Sequence, residues 1–201
     1  MEKLLIIGCG GHCKSVIDII EGQQKWNIIG LIGRKDEVGG KVFNHSIIGT
    51  DNDLSYLRKE CKNSFVAIGQ IGLDNLRKTL IQKLIKLDYA IPKLISKHSI
   101  VSSYSIIEMG CSVGHGALIN AGAMIKSHTI INSNVTVEHD ALIGSFCHLS
   151  PGVIINGGVT IGNNSFIGSG AIIREGIKIP PNTVISAGKR VMGWPLKEIK
   201  S

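Results

Sequence analysis

Aromatic residues are scarce in this chain: phenylalanine, tryptophan and tyrosine together make up 4% of its 201 residues. That disfavours a nucleic-acid platform, which needs rings on which bases can stack. Basic runs are missing as well. The formal charge is +7, but the lysines and arginines are scattered, so the surplus suits small anionic ligands such as nucleotides or a phosphorylated coenzyme. The five cysteines (Cys9, Cys13, Cys61, Cys111 and Cys147) form no CxxC pair and are odd in number. Free thiols in a reducing cytoplasm are therefore expected, not a disulfide frame. No apolar run approaches the length of a membrane span. The first run, Leu4 to Ile7, is also too short for a signal peptide and reads as a β-strand.

Glycine, by contrast, is abundant at 25 residues, and the chain changes character near Pro92. Before that point strands and helices alternate, which implies a small parallel sheet. Strands are expected at Leu4–Ile7, Ile28–Ile32 and Phe65–Ile68. A tight turn, Gly8-Cys9-Gly10-Gly11, leads into a helix over 12–20. Asp51 is a candidate helix N-cap. A longer helix is expected from about Asp74 to Leu87, with Leu76, Leu80, Leu84 and Leu87 as its apolar stripe. The expected division is residues 1–92 as an α/β Rossmann-like domain and 93–201 as a second domain.

The second part is built on a period of six. Every sixth residue from Val101 to Val191 is valine, isoleucine or leucine, at sixteen consecutive sites. Three residues after these sites glycine or asparagine predominates (Gly110, Gly116, Asn134, Gly158, Asn164), the types that accept a positive φ at a corner. One position further the side chains are mostly small (Ala117, Ala123, Ala141, Ala171), as a crowded inner corner requires. Three hexads close one coil of a triangular prism, so the stretch predicts about five coils of a parallel β-helix.

The hexads resemble those of the bacterial hexapeptide acyltransferases, whose coils are left-handed. The first half resembles the sugar-modifying branch of that group, the PglD-like UDP-4-amino-sugar N-acetyltransferases and NeuD-like sialic acid O-acetyltransferases. Gly8-Cys9-Gly10-Gly11-His12 is similar to their G-x-x-G-H turn. Ala67-Ile68-Gly69-Gln70 is similar to their A-I-G-N loop, with Gln70 in place of asparagine. Glu138-His139-Asp140 matches their E-H-D segment, and Gly193-Trp194-Pro195-Leu196 is a variant of the terminal G-x-P-A. The resemblance implies a homotrimer with sites between subunits. It also implies acetyl-CoA as co-substrate, a UDP-amino-sugar acceptor and no metal.

Residue by residue, the resemblance makes His139 the general base that takes the amine proton. Asp140 orients it, and the Gly157 amide, one coil further on, meets the negative oxygen of the tetrahedral intermediate. Gly8, Gly10, Gly11, His12, Ala67, Gly69 and Gln70 would face the nucleotide sugar, and Arg34 its pyrophosphate. His148, Gly157, Gly170, Ile173, Gly188, Trp194 and Pro195 would hold the coenzyme. Cys147 occupies a small-residue slot and is expected to be buried filler, not a nucleophile.

Three other readings compete with this one. O-acetylation of a sialic or legionaminic-type acid could use the same base. A non-catalytic nucleotide-sugar scaffold would keep the prism without turnover. A carbonic anhydrase on this prism would need two histidines five residues apart, but Gly144 and Asn120 stand five residues after His139 and His115.

Overall fold

The computed structural model describes residues 1–70, 72, 73 and 75–195. The described residues form two compact units, one of residues 1–70 and 75–97 and the other of residues 72, 73 and 98–195. The period changes at Pro92, yet the first unit continues to Lys97. There Gln23 Nε2 donates to the Ile95 carbonyl (2.6 Å), which ties this stretch to the first helix.

In the first unit β1 (Glu2–Ile7), β2 (Trp26–Ile32), β3 (Lys41–Val42), β4 (His45–Gly49) and β5 (Ser64–Val66) form one sheet in the order β3-β4-β2-β1-β5. β1 pairs in parallel with both β2 and β5, and β2 with β4. Central strands buried on both faces need continuous apolar runs, and Leu4 to Ile7 are at most 3% exposed. Helix α1 (Gly11–Gln23) follows β1 and buries Cys13, Val16, Ile17, Ile19 and Ile20. Because β2 and β5 flank β1 on opposite sides, the chain reverses direction across the sheet at β1. In open α/β sheets that reversal places the ligand crevice beyond the carboxyl ends of the strands.

Three local expectations change. The helix expected from Asp51 is a single turn, α2 (Leu54–Leu57). Asp53 closes the preceding turn by accepting from Thr50 N (2.8 Å), whereas Asp51 pairs with Lys83 Nζ at 2.7 Å. Helix α3 (Leu76–Lys86) buries Arg77, Leu80, Ile81 and Leu84, while Leu76 is 51% exposed, so the buried stripe is rotated from the all-leucine one. Leu76 is the first helical residue and lies at the end of the packed face. Finally, β3 and β4 form an antiparallel hairpin that has no counterpart in the sequence reading.

The second unit is a prism with three faces, each a sheet of parallel strands. Its interior holds one aliphatic ladder per face. The first runs from Val101 through Val137 and Ile155 to Val191, the second from Ile107 through Ile143 to Ile179, and the third from Val113 through Leu149 to Ile185. From Ile107 to Val191 each of these residues is buried. At ~25 cal/mol per Å² of apolar surface, a fully buried isoleucine contributes about 1.5–3 kcal/mol. The corners have positive φ where expected, from Gly110 (69°) to Gly188 (68°). His128, Asp140 and Phe146 also adopt it, at 61°, 59° and 57°. Among the described residues no helix is long and apolar enough to cross a membrane.

Candidate active site

The corner between the first and second faces carries the E-H-D segment. Val137 and Leu142 anchor the turn on either side, and Asp140 takes the left-handed conformation that aspartate tolerates better than most residues. That backbone turn brings Asp140 Oδ2 to 2.9 Å from His139 Nδ1. A carboxylate only accepts, so the proton of the neutral imidazole resides on Nδ1 and the Nε2 lone pair is left available. Both side chains are largely exposed, at 66% and 73%, so this pair serves orientation more than stability.

Gly157 stands one coil beyond His139, directly under the imidazole. A methyl group at Gly157 would sit 2.7 Å from His139 Nε2 and Cε1. At some of the equivalent corner positions a side-chain oxygen caps the amide: Asn120 Oδ1 caps Ala121 (3.2 Å), Asn132 Oδ1 caps Ser133 (2.8 Å) and Asn163 Oδ1 caps Ser145 (2.9 Å). Asn156 instead turns its Nδ2 to the Ile173 carbonyl at 2.7 Å. Among the described residues the Gly157 N–H therefore meets no acceptor. A lone pair and an uncapped amide on neighbouring rungs can take a proton and hold an oxyanion.

The groove around them, of about 600 Å³, is lined by Glu138, Asn156, Gly158, Glu175 and Gly176 in addition to His139, Asp140 and Gly157. Glu138 accepts from Asn120 Nδ2 at 2.7 Å. Asn156 and Glu175 were absent from the sequence reading. Counting one coil forward from Glu138 and two from His139 would have found them.

The remaining coenzyme candidates are dispersed. His148 projects outward from the third face, opposite the His139 corner, and is 6% exposed. Its Nε2 lies 3.4 Å from Asn132 Nδ2, and its ring packs edge-on against Phe166. Gly170 and Gly188 occupy the corner between the third and first faces, at φ 67° and 68°. Ile173 is fully buried in the interior, which leaves only its main chain for a ligand. Trp194 and Pro195 end the described segment, and Leu196 lies outside it. Cys147 is fully buried, and its thiol donates to the Gly162 carbonyl at 3.2 Å, as expected of filler.

In the first unit the glycine turn and the Ala67-Ile68-Gly69-Gln70 loop meet at the carboxyl ends of β1 and β5. Gly8 has φ 112°, and a Cβ there would be 2.7 Å from Ile68 Cγ1, so this close approach requires glycine. The His12 side chain packs beside Gly69, 3.7 Å from where a Cβ would be. Ala67 and Gln70 are buried, Gly11 opens α1, and Gly8, Gly10 and Arg34 line a cavity of about 380 Å³. Cys9, Glu37 and Asp51 also line this cavity and were not foreseen. Burial pushes the Cys9 thiol up to about 11, helped by the Glu37 carboxylate, so it stays protonated near neutrality. Arg34 is at the rim, its guanidinium 3.2 Å from Glu37 and 3.4 Å from Asp36. No group of three or more His, Cys, Asp or Glu suited to a metal ion occurs among the described residues.

Comparison with known proteins extends this picture. Residues 3–84 match the family described as the PglD N-terminal domain, and residues 158–190 the hexapeptide repeat of succinyl-transferase. The acetyltransferase domain of PglB from Neisseria gonorrhoeae, solved with acetyl coenzyme A, is 30% identical. The match covers 94% of this chain and 92% of that one, with a TM-score of 0.84. A histidine-to-asparagine mutant of perosamine N-acetyltransferase from Caulobacter crescentus, solved with CoA and GDP-perosamine, is 31% identical. Here the coverage is 95% and 89%, with a TM-score of 0.88. No curated protein matches the chain. The second unit is thus a left-handed parallel β-helix, and the first an α/β unit of PglD type.

Proposed function

This chain belongs to the PglD-like family of acetyl-CoA-dependent sugar N-acetyltransferases, and we propose that it acetylates the 4-amino group of a UDP-4-amino-4,6-dideoxy sugar. The observation that carries this reading is the His139–Asp140 pair, whose Nε2 lies over Gly157, a residue with an uncapped amide. The acceptor amine attacks the thioester carbon of acetyl-CoA, forming the C–N bond, and its proton passes to His139 Nε2. Asp140 holds the resulting imidazolium, and the Gly157 N–H donates to the oxyanion. Collapse of the intermediate breaks the C–S bond. The proton on Nε2 then leaves with the CoA thiolate, so no residue is acylated.

The nucleotide sugar would enter through the first unit. There the N-terminal amides of α1, at Gly10 and Gly11, suit the pyrophosphate, and no acidic residue in the first turn opposes it. Ala67, Gly69 and Gln70 flank the same crevice, with His12 beside them and Arg34 at its rim. His148, Gly170, Ile173, Gly188, Trp194 and Pro195 remain the coenzyme residues of this reading. We assign a homotrimer acting in the cytoplasm, within bacterial glycan or nonulosonic-acid biosynthesis.

The test is thiol release from acetyl-CoA with a UDP-4-amino-4,6-dideoxy sugar, alongside its GDP counterpart. Turnover by the wild type that falls by at least ~100-fold in His139→Ala supports the assignment. Equal rates in the two proteins would remove His139 as the base. Turnover only with free sialic-type acids would make the acceptor atom oxygen.

A further inference from the structure

The corner bearing His139 continues as a ladder along the prism. Gly157 forms the next rung and Glu175 the one after it, with Asp140, Gly158 and Gly176 beside them. Beyond His139 the track is nearly bare. Methyl groups at Gly158, Gly176 or Gly193 would meet no atom within 4 Å. Glu175 is the exception: its exposed side chain makes no hydrogen bond or ion pair among the described residues. The other two carboxylates of the groove are engaged, Glu138 with Asn120 and Asp140 with His139.

The geometry points to Glu175 as a coenzyme-positioning residue, whose carboxylate accepts the N–H of the pantetheine amide nearest the sulfur. The inference rests on the acetyl-transfer reading above. If the thioester oxygen lies on the Gly157 amide, the thioester carbon is fixed at that rung. Only two methylenes separate the sulfur from the first amide nitrogen, a span close to the coil rise of ~4.8 Å. The arm must also run toward Glu175. In the opposite direction the His139 ring and Asp140 fill the corner, and the next amide, Ala121, is already capped by Asn120. A charged acceptor makes a stronger bond to an amide than a neutral one does, and the diphosphate at the far end of the arm is too distant to be repelled.

Calorimetry of CoA binding tests this without turnover. Glu175→Ala is expected to weaken CoA binding by ~10-fold, whereas Glu175→Gln, whose amide oxygen still accepts, should stay within ~3-fold of the wild type. KM for the amino sugar should not change in either variant. As a second readout, wild type should use S-acetyl-N-acetylcysteamine better than its oxygen-ester analogue, which lacks the N–H, and Glu175→Ala should lose that preference. Unchanged CoA binding in Glu175→Ala overturns the inference. So does a raised KM for the amino sugar with CoA binding intact, since Glu175 would then face the acceptor. A wild type that binds no CoA overturns the acetyl-transfer reading itself, and this inference with it.

Discussion

A side chain at position 157 would collide with the His139 imidazole, because even a methyl group would come within 2.7 Å of Nε2. Gly157 does not have a positive φ, so alanine is compatible with the backbone and the strain falls on the ring. Gly157→Ala should therefore displace Nε2 and lower kcat by ~100-fold, the usual cost of a shift near 1 Å in a reacting group. Its thermal midpoint should stay close to that of the wild type; a large fall would mean that Gly157 serves the fold instead. At this scale the sequence was legible where residues are contiguous. Glu138, His139 and Asp140 are neighbours in the chain, and a motif finds them. Glu175 contacts the same groove from two coils away, and only counting along the ladder exposes it.

Among the elements, the prism was the most legible because each hexad repeats one environment. An inward aliphatic, a corner with positive φ and a small inner residue recur together, so each confirms the others. The first unit offers no such repetition. The one-turn helix α2 and the hairpin of β3 and β4 are too short to show a period. In α3 the leucines suggested one face, while tertiary packing buried Arg77. The prism corners also contain charge networks that the hexad pattern hides. Glu108 accepts from Ser127 Oγ (2.5 Å), Ser127 N (2.9 Å) and Lys126 Nζ (2.9 Å). The Ser127 hydroxyl first, then Lys126, hold its carboxyl down at about 2, from 4.5. A depressed carboxyl stabilises the fold above its unfolded value, and that contribution disappears as pH falls through the folded one. The gap in urea midpoint between wild type and Glu108→Gln should therefore be full above about pH 5 and shrink toward about pH 2. A gap independent of pH would show that the ionised carboxylate contributes nothing; the partial exposure of the cluster keeps the full effect modest.

For the whole molecule, the placement of His139 and His148 matters most. His139 is on the corner between the first and second faces, and His148 is on the third face of the same prism. One chain cannot bring both to a single acetyl group, so a site using both must draw them from two copies. The outward ladders favour such packing: Ile100 is 70% exposed and Ile106 is 53% exposed. Sequence reaches this point only by resemblance, since nothing in the hexads states which faces meet. Sedimentation should then report three copies of the 21.5 kDa chain, and mixing gives the sharper test. His139→Ala and His148→Ala should each be impaired as pure proteins. After joint unfolding and reassembly, about a quarter of the sites in random cyclic trimers should combine an intact His139 with an intact His148 from its neighbour. Activity should reappear to that extent. If the mixture stays as impaired as its parents while the trimer forms, the two histidines do not share a site, and His148 leaves the coenzyme set.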